Sequence, residues 1–123
     1  MNPRTESDSR LIASQWAAEL LDADQTCRFI VVRYERRSSG GKCYRKDLHA
    51  ADRALFAACK EGDLPVAAAI VQSLSHYDDS GFAFADTVET LTEALIPRVQ
   101  ARQDCYDLAD WGGGGAVLTV WSD

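Results

Sequence analysis

Residues 27–36 read Cys27-Arg28-Phe29-Ile30-Val31-Val32-Arg33-Tyr34-Glu35-Arg36, a stretch rich in β-branched and aromatic side chains. Residues of this kind favour β-strands. The residues Phe29–Val32 are all apolar, whereas a strand with one solvent-exposed face alternates apolar and polar residues. We therefore predict a strand inside a sheet, covered on both faces over this run. Beyond Arg33 the residues are polar, which predicts that the end of the strand extends towards solvent.

The residues that follow predict a β-hairpin with a basic tip. Ser38–Gly41 has the composition of a turn, and Lys42–Lys46 is predicted to return antiparallel as a second, shorter strand. Residues 28–46 hold seven of the 13 basic side chains and one acidic side chain, a net charge of +6. The candidate nucleic-acid contacts on this hairpin are Arg33, Arg36, Arg37, Lys42, Arg45 and Lys46.

Apolar residues spaced three and four apart predict helices in the rest of the chain. The first runs from about residue 9 to 21 and the second from about 48 to 60. The third follows an Asp63 cap and is expected to bury Val66. The fourth follows a capping-box-like sequence at Asp86–Glu89, and Pro97 predicts a kink near Glu93 or a break at Ile96 in it.

Residues 54–66 read Ala-Leu-Phe-Ala-Ala-Cys-Lys-Glu-Gly-Asp-Leu-Pro-Val and contain two helical stretches joined by Gly62-Asp63. They resemble the helix pair of an ankyrin repeat. A solenoid needs about three repeats to bury a continuous core, and this chain has no second copy. The resemblance therefore implies a single antiparallel helix hairpin, and no family function is carried over.

A last strand is predicted at Ala116–Trp121, after the glycines Gly112–Gly115. The element order is then α-β-β-α-α-α-β, a single α+β domain over residues 1–123. We predict a small three-stranded antiparallel or mixed sheet, made of the N-terminal hairpin and the C-terminal strand, packed against about four helices. The glycines precede a strand and not a helix, so they predict a flexible connection, or close backbone approach under a packed tryptophan, and not a phosphate loop.

Composition excludes several classes of protein. A chain of 123 residues, 46% hydrophobic and 26% charged, fits one globular domain. No apolar run approaches the roughly 18–20 residues of a membrane span, and residues 1–8 lack the apolar core of a signal peptide. We therefore expect a cytoplasmic protein without membrane contact. The four cysteines lack metal-ligand spacing, so we expect reduced structural thiols, no metal and no cofactor.

The second half of the chain is acidic. Residues 61–123 hold 11 acidic and two basic side chains, a net charge of −9 within a total of −6. Glu89 and Glu93 lie four apart on one helix face, after Asp86, without a cation at the same spacing. Our leading hypothesis is a small non-catalytic protein-binding module, of the inhibitor, immunity or nucleic-acid-mimic type, that docks an acidic surface on a basic protein. The predicted contacts are Asp78, Asp79, Asp86, Glu89, Glu93, Asp107, Asp110 and Trp111.

Other interpretations stay open. The basic hairpin could contact nucleic acid, with Tyr34 and Tyr44 stacking on bases, although the acidic remainder opposes a polyanion. Its charges could instead protect a sheet edge from aggregation. A small enzyme would need a nucleophile and a base, such as Cys59 with His76 or Cys43 with His49; no motif supports either pair, and we predict no catalytic residue. The acidic surface could also be an ordinary solvated face.

Overall fold

The sheet of this protein is built around the apolar strand that the sequence predicts. The structure, a computed structural model, describes residues 4–22, 28–34, 49–74, 82–112 and 114–122. The helices are α1 (Glu6–Ala17), which continues as a π-helical turn (Ala18–Asp22), α2 (His49–Glu61), α3 (Leu64–Leu74) and α4 (Val88–Gln100). The strands are β1 (Phe29–Tyr34), β2 (Phe82–Ala85), β3 (Cys105–Gly112) and β4 (Gly115–Trp121).

Strand β1 lies in the interior of a mixed sheet with the order β2-β1-β4-β3. It pairs antiparallel with β2, where Val31 lies opposite Phe84. It pairs parallel with β4, where Val31 lies opposite Val117. Each side chain of Phe29–Val32 is 0% exposed, which confirms the predicted interior strand.

Helices cover both faces of the sheet. Ile30 and Val32 pack with residues of α1 and α4, whereas Phe29 and Val31 pack with residues of α2 and α3. Successive residues of a strand point to opposite faces, so a strand covered on both sides has no polar alternation. Within the described ranges, no helix has the length and apolar character needed to cross a membrane.

The predicted sheet and element order are wrong. Over the described residues the order is α-β-α-α-β-α-β-β, because β2 and β3 lie where the sequence predicted no strand. β2 has only four residues, too few for a clear periodic signal. β3 contains Asp107 and Asp110, which have low strand propensity, and its strand structure comes with pairing to β4. The returning strand predicted at 42–46 lies outside the described residues, and β2 and β4 occupy both edges of β1.

The helices lie close to the positions that the local sequence signals predicted. Thr87 caps α4: its Oγ1 accepts from the Thr90 backbone N–H at 3.0 Å, and Thr90 Oγ1 accepts from the Thr87 N–H at 3.0 Å. The break predicted at Ile96 is wrong, because α4 continues through Pro97 to Gln100. Proline lacks one N–H donor and so removes one bond of the helix ladder, and α4 continues for three residues beyond it. The predicted burial of Val66 is also wrong, since it is 45% exposed.

Helix α4 ends in a left-handed residue, Arg102, with φ of 61°. The Gln103 N–H donates to the Arg98 carbonyl at 2.9 Å, and the Arg102 N–H donates to the Val99 carbonyl at 3.0 Å. This cap normally places glycine at the left-handed position. We expect the free energy of unfolding of the Arg102→Gly variant to be about 1 kcal/mol higher than that of the Arg102→Ala variant. The reason is that alanine is strained in the left-handed conformation, whereas glycine is not. Urea denaturation of the two variants measures this, and equal values would contradict it.

Candidate functional site

An open groove of about 420 Å³ lies between α1 and α4. It has two carboxylates, one guanidinium, two hydroxyl groups and one apolar side chain along its walls. The lining residues are Arg10, Ser14, Val88, Glu89, Thr92 and Glu93. Two of the residues predicted to contact a protein partner therefore lie together on one concave surface.

Helix α4 holds the two carboxylates at the groove because its opposite face is in the core. Leu91, Leu95 and Val99 are each 0% exposed and pack beneath the helix. Glu89 and Glu93 are exposed and four residues apart, which puts them one turn apart on the same helix face. Glu89 lies in the first turn of α4, where the positive end of the helix dipole favours an acidic side chain.

Glu93 has a cationic partner that the spacing along α4 does not reveal. Arg10 of α1 donates from Nη1 to Glu93 Oε1 at 2.8 Å. This hydrogen bond, with the charge of Glu93, raises the pKa of Arg10 above its ordinary value. Arg10 also lies 3.7 Å from Glu6 on its own helix. Among the described residues, Glu89 has no ion-pair partner within 4.0 Å.

The other predicted acidic contacts are separated from the groove. Asp107 and Asp110 are exposed on β3, and Asp86 is exposed just before α4. The Trp16 ring of α1 lies 5.0 Å from the Tyr106 ring of β3, while Arg10 on the same helix reaches α4. Helix α1 therefore contacts both β3 and α4, and the aspartates of β3 lie outside the groove. Asp78, Asp79 and the side chain of Trp111 lie outside the described residues.

The Arg33 side chain packs against the protein and does not extend into solvent from a hairpin. Its Nε donates to Thr119 Oγ1 of β4 at 2.8 Å, and its guanidinium carbon lies 5.8 Å from the centre of the Phe56 ring of α2. Arg33 is half-buried at this position. These contacts join β1 to β4 and to the helical layer of α2. The remaining hairpin candidates, Arg36, Arg37, Lys42, Arg45 and Lys46, lie outside the described residues.

The candidate cysteine and histidine pairs are not assembled by the described residues. Cys59 is buried and Cys105 is half-buried. The backbone of His49 begins α2, but its side chain lies outside the description, as do Cys27, Cys43 and His76. No group of three His, Cys, Asp or Glu side chains could hold a metal ion within the ranges that the structure describes.

Two arginine contacts were missed by sequence reasoning. Arg98 lies over the Tyr34 ring at 5.2 Å, and burial lowers the pKa of this guanidinium. Arg4 Nη2 donates to Asp104 Oδ2 at 2.9 Å, which joins the start of α1 to the start of β3. Each contact joins residues more than 60 positions apart, so no local spacing could have revealed it.

Comparison of the chain with protein-family models, with curated proteins and with solved structures finds no match. The groove combines acidic charge and accessibility, and Arg10 shows which cationic group its carboxylates accept. These properties suit recognition of a basic side chain.

Proposed function

We propose that this protein is a small non-catalytic binding module that docks the groove between α1 and α4 on a basic protein. Glu89 and Glu93 receive arginine side chains of the partner. Such a module acts by occupying its partner's surface, as stoichiometric inhibitors, immunity proteins and nucleic-acid mimics do. The overall charge of −6 supports the proposal, because a field of this sign attracts a basic partner over long range.

The observation that carries the proposal is the contact between Arg10 and Glu93. The Arg10 guanidinium already donates a hydrogen bond to the Glu93 carboxylate, with a donor–acceptor distance of 2.8 Å. Planar guanidinium groups match carboxylate oxygens well. Glu89, one turn away, offers the same chemistry without an ion-pair partner among the described residues. A partner arginine would bind Glu89 directly and would compete with Arg10 for Glu93.

The size and lining of the groove support the same kind of partner. Its volume of about 420 Å³ accepts one or two long side chains. Half-buried Val88 contributes apolar surface that suits the methylene stem of an arginine. Buried Thr92 uses its hydroxyl within α4, donating to the Val88 carbonyl at 2.7 Å. The carboxylates therefore supply the main acceptors.

A helical peptide tests the proposal without knowledge of the natural partner. The probe is an alanine-based helix of about 16 residues with two arginines four residues apart, and a glutamine version is its control. At low salt, the double variant Glu89→Gln with Glu93→Gln should bind the arginine peptide about tenfold more weakly, because two exposed ion pairs are lost. Fluorescence anisotropy measures the affinity, which should also fall between about 50 and 500 mM salt.

Two further variants distinguish the groove from general charge attraction. Glu19→Gln with Glu61→Gln makes the same change in net charge at exposed positions outside the groove and should leave the affinity nearly unchanged. Arg10→Gln removes the internal competitor for Glu93 and should strengthen binding. If both double variants weaken binding equally, or if Arg10→Gln has no effect, the groove is not the docking surface.

A further inference from the structure

We propose that Glu6 raises the affinity of the groove for a basic partner, by receiving the Arg10 guanidinium when a partner arginine displaces it from Glu93. Glu6 is on α1 but is not among the residues that line the groove. The inference rests on the proposed function and adds a positioning residue to it. Glu6 acts through Arg10 and does not touch the partner.

The Arg10 guanidinium lies between two carboxylates and uses a different nitrogen for each. Nη1 donates to Glu93 Oε1 at 2.8 Å, whereas Nη2 lies 3.7 Å from Glu6 Oε1. The first distance is that of a short hydrogen bond, and the second is an ion pair beyond hydrogen-bond length. In the protein without a partner, Arg10 is therefore bound to Glu93 and attracted more weakly by Glu6.

A partner arginine that binds Glu93 has to displace Arg10. A guanidinium binds a carboxylate best through two parallel N–H bonds, which occupy both carboxylate oxygens, and Arg10 already holds Oε1 of Glu93. Two guanidinium groups at one carboxylate also repel each other, because they carry like charges. After displacement Arg10 still lies near the partner's cation, so binding is weaker unless a second carboxylate neutralises Arg10.

Glu6 is placed to neutralise Arg10 after that displacement. The two residues are four apart on α1, and the acidic residue is nearer the N-terminus, which is the favourable order for such a pair. Their side chains are 73% and 51% exposed, so the guanidinium can rotate in solvent from one carboxylate to the other. Shortening the distance to hydrogen-bond length takes a movement of about 1 Å. Glu6 therefore stabilises the partner-bound state more than the free state.

The variant Glu6→Gln tests this role with the helical arginine peptide. At low salt we expect it to bind the peptide about twofold more weakly than the native protein, because a helical ion pair formed in the bound state is lost. Asp8→Asn is the matched control: Asp8 is also exposed and also in the first turn of α1. It lies two residues from Arg10, where helix side chains do not face each other, so the control should leave the affinity nearly unchanged.

A double-mutant cycle separates the action through Arg10 from a simple loss of charge. The Arg10→Gln background has no guanidinium to receive, so Glu6→Gln should there weaken binding no more than Asp8→Asn does. Fluorescence anisotropy measures the affinities, and circular dichroism confirms that each variant is folded. The inference is overturned if Glu6→Gln has the same effect with and without Arg10, or if it matches Asp8→Asn in the native background.

The transfer of Arg10 is also measurable without a partner. Glu93→Ala removes the carboxylate that holds Arg10 and so imitates displacement. Glu6→Gln should then shift the NMR signal of the Arg10 Nε–Hε group more in the Glu93→Ala background than in the native protein. Equal shifts in the two backgrounds would show that Arg10 does not move to Glu6 and would overturn the inference.

The two proposals fail in different ways. If the arginine peptide binds the double variant Glu89→Gln with Glu93→Gln as tightly as the native protein, the proposed function fails, and the role of Glu6 in affinity fails with it. If that double variant weakens binding as expected but the results for Glu6→Gln do not, the groove stays the docking surface and only the role of Glu6 is rejected.

Discussion

Replacing Leu118 with alanine should lower the free energy of unfolding by about 3–4 kcal/mol, because the deletion leaves a cavity in a rigid part of the core. Leu118 is 0% exposed in β4. Its neighbours across the strands are Val32 and Leu108. Strands on both sides and the helices α1 and α4 above limit how far the surroundings can collapse into the space. Urea denaturation followed by circular dichroism measures the loss.

A leucine at the surface provides the matched control. Leu11 of α1 is 59% exposed, so Leu11→Ala should change the free energy of unfolding by less than about 0.5 kcal/mol. If Leu118→Ala leaves too little folded protein to measure, Leu118→Val deletes less volume and should cost about 1 kcal/mol. Similar losses for Leu11→Ala and Leu118→Ala would contradict the placement of β4 at the centre of the sheet.

Replacing Gly115 with alanine should lower the free energy of unfolding by about 3 kcal/mol, because an added methyl group overpacks the core. A Cβ atom at this position would overlap the ring of Phe29 and would lie 2.8 Å from the carbonyl oxygen of Cys59. The Phe29 side chain is 0% exposed, so it has no open space to move into. The cost is steric, which thermal or urea unfolding of the variant would measure.

A double-mutant cycle identifies the cause of that loss. Phe29→Leu removes the ring edge that meets the new methyl group, so Gly115→Ala should cost clearly less in the Phe29→Leu background than in the native protein. Part of the cost should persist, because the Cys59 carbonyl stays close. If Gly115→Ala costs the same in both backgrounds, the Phe29 ring is not its steric neighbour. The glycine run predicted close approach under a tryptophan, whereas the close neighbour at Gly115 is the ring of Phe29.

The candidate site was predicted in part. The helical spacing of Glu89 and Glu93 put them on one exposed face, and the structure finds both in the groove. The wall contributed by α1 was not predictable, because Arg10 lies 83 residues from Glu93 along the chain. The sequence also led us to group Asp107 and Asp110 with these glutamates, whereas both aspartates lie on β3, outside the groove. The acidic composition of the sequence gives no information about how these residues are separated in space.

The sequence by itself determined the elements whose signals are local. The apolar run of β1 and the amphipathic spacing of the helices are each contained within a few neighbouring residues, and each was found close to where it was predicted. The capping box predicted over Asp86–Glu89 is formed one residue later, by Thr87 and Thr90. Tertiary structure alone decided which strands flank β1, that β2 and β3 are strands, and that Arg33 turns inward to Thr119. These outcomes depend on contacts between distant parts of the chain. Strand pairing and side-chain burial there outweigh local propensity.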